Sequence, residues 1–138
     1  MATKTGRFGA DSNWGNYTST TNRPYDLNVD PPLEAQEYPI QIVMSGLDYN
    51  NGFYCSEDDT FWAQIWLTDP TGTNEVYLET IGGKGPIRDY KPGGKYIWDI
   101  PEADQKKFKG QHLCLVKKFN VKGIYYRGHD ATITVTTL

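Results

Sequence analysis

Cysteine and histidine are scarce in this 138-residue chain, with two of each, and long apolar runs are missing altogether. With only Cys55 and Cys114, a disulfide scaffold is excluded. One bridge or two buried thiols remain, and the lack of an apolar leader in MATKTGRFGADSN favours thiols. His112 and His129 do not fall at zinc-ligand spacing with those cysteines. No local signature places a serine beside either histidine for nucleophilic catalysis. No stretch approaches the 18 or so apolar residues of a membrane helix. GGKGPIRDYKPGG is not a phosphate loop, since no G-K-[ST] follows and no helix begins there. The expectation is a non-enzymatic protein with no catalytic residue, cofactor or metal site and no membrane insertion. It is made in the cytoplasm, with a virion or other particle surface as a further location.

Helix signals are equally thin. Only PEADQKKFKG reads as helical, with Pro101 in a first turn, acids before bases and Gly110 as terminator. It spans a turn or two, so a parallel α/β fold lacks its crossover helices. What remains is strand. YPIQIVM, FWAQIWLT, NEVYLETIGG, KYIWDI, QHLCLVKK, GIYYR and ATITVTT are short runs, several of them alternating, with turn residues about every ten positions. Pro39 points to a strand that starts at a sheet edge, and Asp-Pro-Thr-Gly closes the second strand in a turn. The fold class is all-β: an antiparallel β-sandwich, immunoglobulin-like or jelly-roll-like, expected to bury Ile40, Ile42, Phe61, Ile65, Leu67, Val76, Leu78, Leu113, Leu115, Ile133 and Val135.

Residues 1–37 have a different character, with Met1, Leu27, Val29 and Leu33 as their only large aliphatics. Ordering each residue costs roughly 1–2 kcal/mol, and four such side chains return only about 1.5–3 kcal/mol apiece on burial. This predicts two parts: an extended N-terminal arm over 1–37, held by contacts outside its own domain, and a sandwich over 38–138. Trp14, Tyr17 and Tyr25 are the candidate anchors of that arm on a partner, since aromatics bury large areas while fixing few torsions.

Net charge is −3, which disfavours nucleic acid as the main ligand. The distribution is bipolar: seven acidic residues and no Lys or Arg from Asp48 to Glu79, then seven basic residues against Glu102 and Asp104 from Pro101 to Arg127. Either folding interleaves these segments, or the opposite patches meet across subunit contacts. Glu57, Asp58 and Asp59 lack the alternating spacing with which one loop wraps calcium. The lysines around Phe108 and Phe119 suit phosphate, but they equally suit exposed sheet edges.

The order Cys55, Trp66, Cys114, with IPEAD as a corner before the last cysteine, resembles an immunoglobulin-like sandwich over about residues 53–137. It departs from that pattern at His112, where a tyrosine corner would place Tyr, and at the acidic loop after Cys55. Two function classes follow from the whole reading. The first is a structural interaction protein: a β-sandwich subunit of a larger homo- or hetero-oligomeric assembly, such as a virion decoration or fibre-base protein, attached through its arm. The alternative is a carbohydrate-binding module or lectin. It would use Trp62, Gln64 and Trp66, two tryptophans expected about 7 Å apart on the outer face of one strand, with Tyr49, Asn50 and Asn51 in a neighbouring Asn/Gly-rich loop.

Overall fold

In the computed structural model, residues 1–8, 16–17, 24–48, 52–54, 62–82, 90–119, 124–126 and 131–138 are described. Among the described residues eleven strands run β1 Ala2–Phe8, β2 Asn16–Tyr17, β3 Tyr25–Asp26, β4 Pro39–Ser45, β5 Phe53–Tyr54, β6 Trp62–Thr68, β7 Glu75–Gly82, β8 Tyr96–Asp99, β9 Cys114–Phe119, β10 Ile124–Tyr126 and β11 Ala131–Thr137. Helix among the described residues is confined to α1, Glu102–Gln105, and to 3-10 turns at Pro92–Gly94 and Lys106–Phe108. Gly110 follows at φ +65°, a left-handed position that stops the helical segment at little cost only with glycine. No helix among the described residues is long and apolar enough to cross a membrane.

All strand pairs are antiparallel, in two four-stranded sheets, β1-β11-β4-β8 and β3-β9-β6-β7, and a small third, β2-β10-β5. In the two large sheets the first strand pairs with the last, β3 with β9, β4 with β8, and β6 with β7. This nesting of eight strands about the 69–74 turn is the order of a jelly roll. The Asp69 carboxylate organises that turn, accepting from Thr71 N (3.0 Å), Thr71 Oγ1 (2.8 Å), Thr73 N (3.0 Å), Asn74 N (3.1 Å) and Asn74 Nδ2 (3.0 Å). Burial pushes its pKa up, and these donors outweigh burial to hold it below the ordinary value.

Alternation decides what each strand buries. Ala131, Ile133 and Val135 of β11 are fully buried, as are Ala63, Ile65 and Leu67 of β6, which leaves Trp62, Gln64 and Trp66 on the outer face. The two sheets share one core with Phe8, Leu27, Ile42, Met44, Leu113 and Leu115. On one side residues 25–30 cross between sheets: Tyr25 and Asp26 pair with β9, while Leu27 O accepts from Arg7 N (3.1 Å) and Asp30 bridges Thr5. On the other, β7 and β8 meet through side chains, Trp98 Nε1 donating to Glu79 Oε2 at 3.2 Å with Lys91 Nζ 3.6 Å from the same oxygen. No backbone ladder joins these two strands, so the roll is a sandwich and not a closed barrel.

Several expectations are corrected. The boundary at residue 37 does not separate an arm from the sandwich in the described residues, because β1 pairs along its whole length with β11 and buries Phe8. Gly6 lets residues 27–29 close on the other edge of β1, since a Cβ there would lie 2.6 Å from Leu27 O. β4 is not an edge strand; it lies between β11 and β8, with Pro39 as its first residue, a position that tolerates the missing N–H. A bulge skips Ile40 between Thr136 and Thr137, so Pro39 is buried and Ile40 half-buried. A second bulge, opposite Ile65 and Trp66, leaves Leu78 half-buried. Phe61 and Cys55 lie outside the described residues. The immunoglobulin-like order gives way to the jelly roll: Trp66 faces outward on the same sheet as Cys114, which is a free, buried thiol. The acidic and basic segments interleave where β7 and β9 flank β6, and Lys118 pairs with Glu75 at 2.8 Å.

Candidate functional site

The roll has two unlike ends. At one, the 69–74 turn closes the β6–β7 hairpin, and the chain passes between sheets through residues 100–113 with α1 and through 27–38. Glu37 clasps this end: its Oε1 accepts from Lys4 Nζ (2.9 Å) and Glu34 N (2.7 Å), and its Oε2 from Thr137 Oγ1 (3.0 Å). The Glu34 amide and Lys4 hold its carboxyl down at about 2 against the cost of burial. At the opposite end the chain leaves β1, β4, β7 and β9 and re-enters at β3, β6, β8 and β11. Four connections therefore issue from one end, and three of them contribute β2, β5 and β10, which pair as Tyr17 with Ile124, Asn16 with Tyr125, Tyr125 with Tyr54, and Tyr126 with Phe53.

The described residues at this end form an aromatic floor. Phe53 packs edge-on against Phe8 (centroids 6.1 Å, 76°) and Phe119 (5.8 Å, 69°). Tyr90 ties β5 down, its Oη accepting from Phe53 N at 2.5 Å and donating to Phe53 O at 3.2 Å. Lys117, opposite the core residue Ile65 and only 7 % exposed, holds its Nζ 5.1 Å from the Phe8 ring and 5.3 Å from the Tyr25 ring. An ammonium between two aromatic faces keeps part of its electrostatic stabilisation without water.

The expected site residues divide. Tyr25 is half-buried in its own domain, with its ring at Lys117. Tyr17 takes part in β2 through its backbone. Trp14, Tyr49, Asn50 and Asn51 lie outside the described residues, in connections that issue from this end. Trp62, Gln64 and Trp66 share the outer face of β6, but the tryptophans are four residues apart, about 13 Å along a strand and not 7 Å. Nor is Trp66 an open platform. Lys118 Nζ sits 4.0 Å from its ring centroid, Tyr77 meets it edge-on (5.5 Å, 73°), and its Nε1 donates to Gln64 Oε1 at 3.2 Å. A sugar stacking there has to displace the lysine.

The other reactive groups give little chemistry. Burial, with Asp26 and Asp69 adding, pushes the Cys114 thiol up to about 11, which keeps it protonated and unreactive at neutral pH. His112 is exposed on the rim of a cleft of about 280 Å³ lined also by Asp26, Asn28, Val29, Leu33 and Gln111. Among the described residues no three His, Cys, Asp or Glu side chains are grouped to hold a metal. Sequence reasoning missed the floor. Phe8 and Lys117 come from strands at opposite ends of the chain, and only the nested pairing brings them together.

Compared with protein-family models, curated proteins and solved structures, the chain matches none.

Proposed function

We propose that this chain is a non-enzymatic interaction module, a subunit of a larger protein assembly such as a virion decoration or fibre-base layer, which docks through the loop-bearing end of its roll. One observation carries the reading: four connections issue from the same end of the sandwich, where the described residues form an aromatic floor. Recognition is commonly built this way, with variable segments on a fixed frame. The composition of those connections supports it. Residues 9–23, GADSNWGNYTSTTNR, and 49–51, YNN, are rich in Trp, Tyr, Asn, Ser, Thr and Gly, the residues that give binding loops large rigid contacts and adaptable hydrogen bonding. The docking role first expected of residues 1–37 thereby narrows to 9–23, because β1 and residues 24–37 are engaged within the domain.

The glycan-binding reading is the second. It is favoured by the outer-face row Trp62, Gln64 and Trp66, and draws on Tyr49, Asn50 and Asn51. One set of variants separates the two. Trp14→Ala with Tyr17→Ala should abolish incorporation of the labelled chain into its native particle while leaving the fold intact, and Trp66→Ala should incorporate like the parent. Equal incorporation by all variants would sink the docking reading. A glycan-array signal removed by Trp62→Ala would establish the second in its place.

A further inference from the structure

Four strand edges border the two large sheets, β1 and β8 on one and β3 and β7 on the other, and they are not equivalent: β3 is two residues long and leads straight into the Leu27–Asp30 crossing to β1. The outer edge of β1 is occupied by Leu27 and Asp30. The edge of β7 carries Glu75 and Glu79, both already paired within the chain, and the bulge between them breaks the regular ladder a second strand needs. The edge of β8 differs from all three. Among the described residues it pairs with β4 alone. Ile100 N donates to Ile40 O (2.9 Å), and Trp98 and Tyr96 stand opposite Ile42 and Met44 in the same register. In an antiparallel ladder, then, residues 96, 98 and 100 bond toward β4, while Lys95, Ile97 and Asp99 turn their N–H and C=O groups to the open side.

The same three residues face outward from the sheet. Tyr96 and Trp98 are buried, Lys95 and Asp99 are exposed, and Ile97 is 53 % exposed, one of four large hydrophobic residues so open to water among the described residues. Lys-x-Ile-x-Asp is self-complementary under a two-fold axis. With Ile97 opposite its own copy, each Lys95 stands opposite the other chain's Asp99, and all three residues fall in hydrogen-bonded pairs. Gln41 Nε2 donates to Asp99 Oδ1 at 2.9 Å and so fixes that carboxylate at the edge.

We infer that β8 is a homodimerisation edge, which pairs antiparallel with β8 of a second copy of this chain about Ile97 and joins two four-stranded sheets into one. The pairing supplies about six backbone hydrogen bonds, two cross-strand Lys–Asp pairs and an Ile–Ile contact. It is isologous, so it closes at two subunits. It uses no residue of the loop-bearing end, so either proposal can fail while the other stands.

The test is a charge swap read by sedimentation at protein concentrations from about 1 to about 500 µM, since a short edge-strand interface lies at the weak end of the size range. The wild type should show a monomer–dimer equilibrium. Lys95→Asp and Asp99→Lys each place like charges opposite one another twice per dimer, and each should weaken dimerisation by about tenfold or more. The double variant restores opposite charges in reversed order and should regain the dimer, which also shows that neither single change acts by unfolding. A wild type that stays monomeric over the whole range overturns the inference. So does a dimer indifferent to the single reversals, or one that the double variant does not recover.

Discussion

Lys4 occupies a core-facing position of β1, opposite Val135, and is only 4 % exposed. A buried ammonium is tolerated when a carboxylate meets it, and Glu37 does so at 2.9 Å while also accepting from the Glu34 amide and the Thr137 hydroxyl. The folded Glu37 carboxyl ionises at about 2, against 4.5 for the ordinary group. Between those values the folded state binds fewer protons than the unfolded chain, so acid favours unfolding. The contribution is whole above about pH 4.5 and is lost as the pH falls through about 2. Glu37→Gln should therefore be less stable than the parent at neutral pH, with the gap in urea midpoint narrowing steadily through that window. A gap unchanged down to pH 2 would show that the carboxylate's charge is not what matters. Little of this was legible beforehand. Lys4 and Gly6 stand where an amphipathic strand shows aliphatics, and the partners that license them, Glu37 and Leu27 O, lie far along the chain.

At the scale of elements, legibility followed side-chain chemistry. ATITVTT alternates cleanly and forms β11; in FWAQIWLT the aliphatic set Ala63, Ile65 and Leu67 turned inward as its pattern implied. PEADQKKFKG is the short helical segment its caps and charges describe. The misses have physical causes. Bulges moved Ile40 and Leu78 out of phase, and alternation cannot register an extra residue in a ladder. β1 was read as part of an arm because only Phe8 among its inward residues resembles a core side chain. That residue tests the corrected view. Phe8 is fully buried and meets Phe53 edge-on, so Phe8→Ala should cost about 3–5 kcal/mol of unfolding free energy. A detachable arm predicts almost no change, and chemical denaturation separates the two outcomes.

The whole molecule is a nest of strand pairs, and its outermost pair joins Ala2 to Thr137. No periodicity reveals such long-range pairing, which is why the sequence pointed to a sandwich but left its strand order open, and why the loop-bearing end became visible only in three dimensions. Topology also sets folding speed. Closing non-local pairs costs chain entropy before their contacts return anything, and folds of this kind refold in milliseconds to seconds. The ends of the nest are nevertheless adjacent, since Ala2 stands opposite Thr137 in the β1–β11 ladder. Proximity of this kind is what circular permutation requires. Joining Leu138 to Met1 by a short glycine linker, and opening the chain within residues 83–89, turns β1 and β11 into a local hairpin and leaves the β6–β7 hairpin intact. The permutant should fold with a melting temperature within a few degrees of the parent, because no described strand pair is cut. It should still respond to Phe8→Ala, because β1 keeps its place in the sheet. A permutant that fails to fold would mean the 83–89 connection is itself part of the core assembly. One that folds but no longer feels Phe8→Ala would mean that β1 does not belong beside β11.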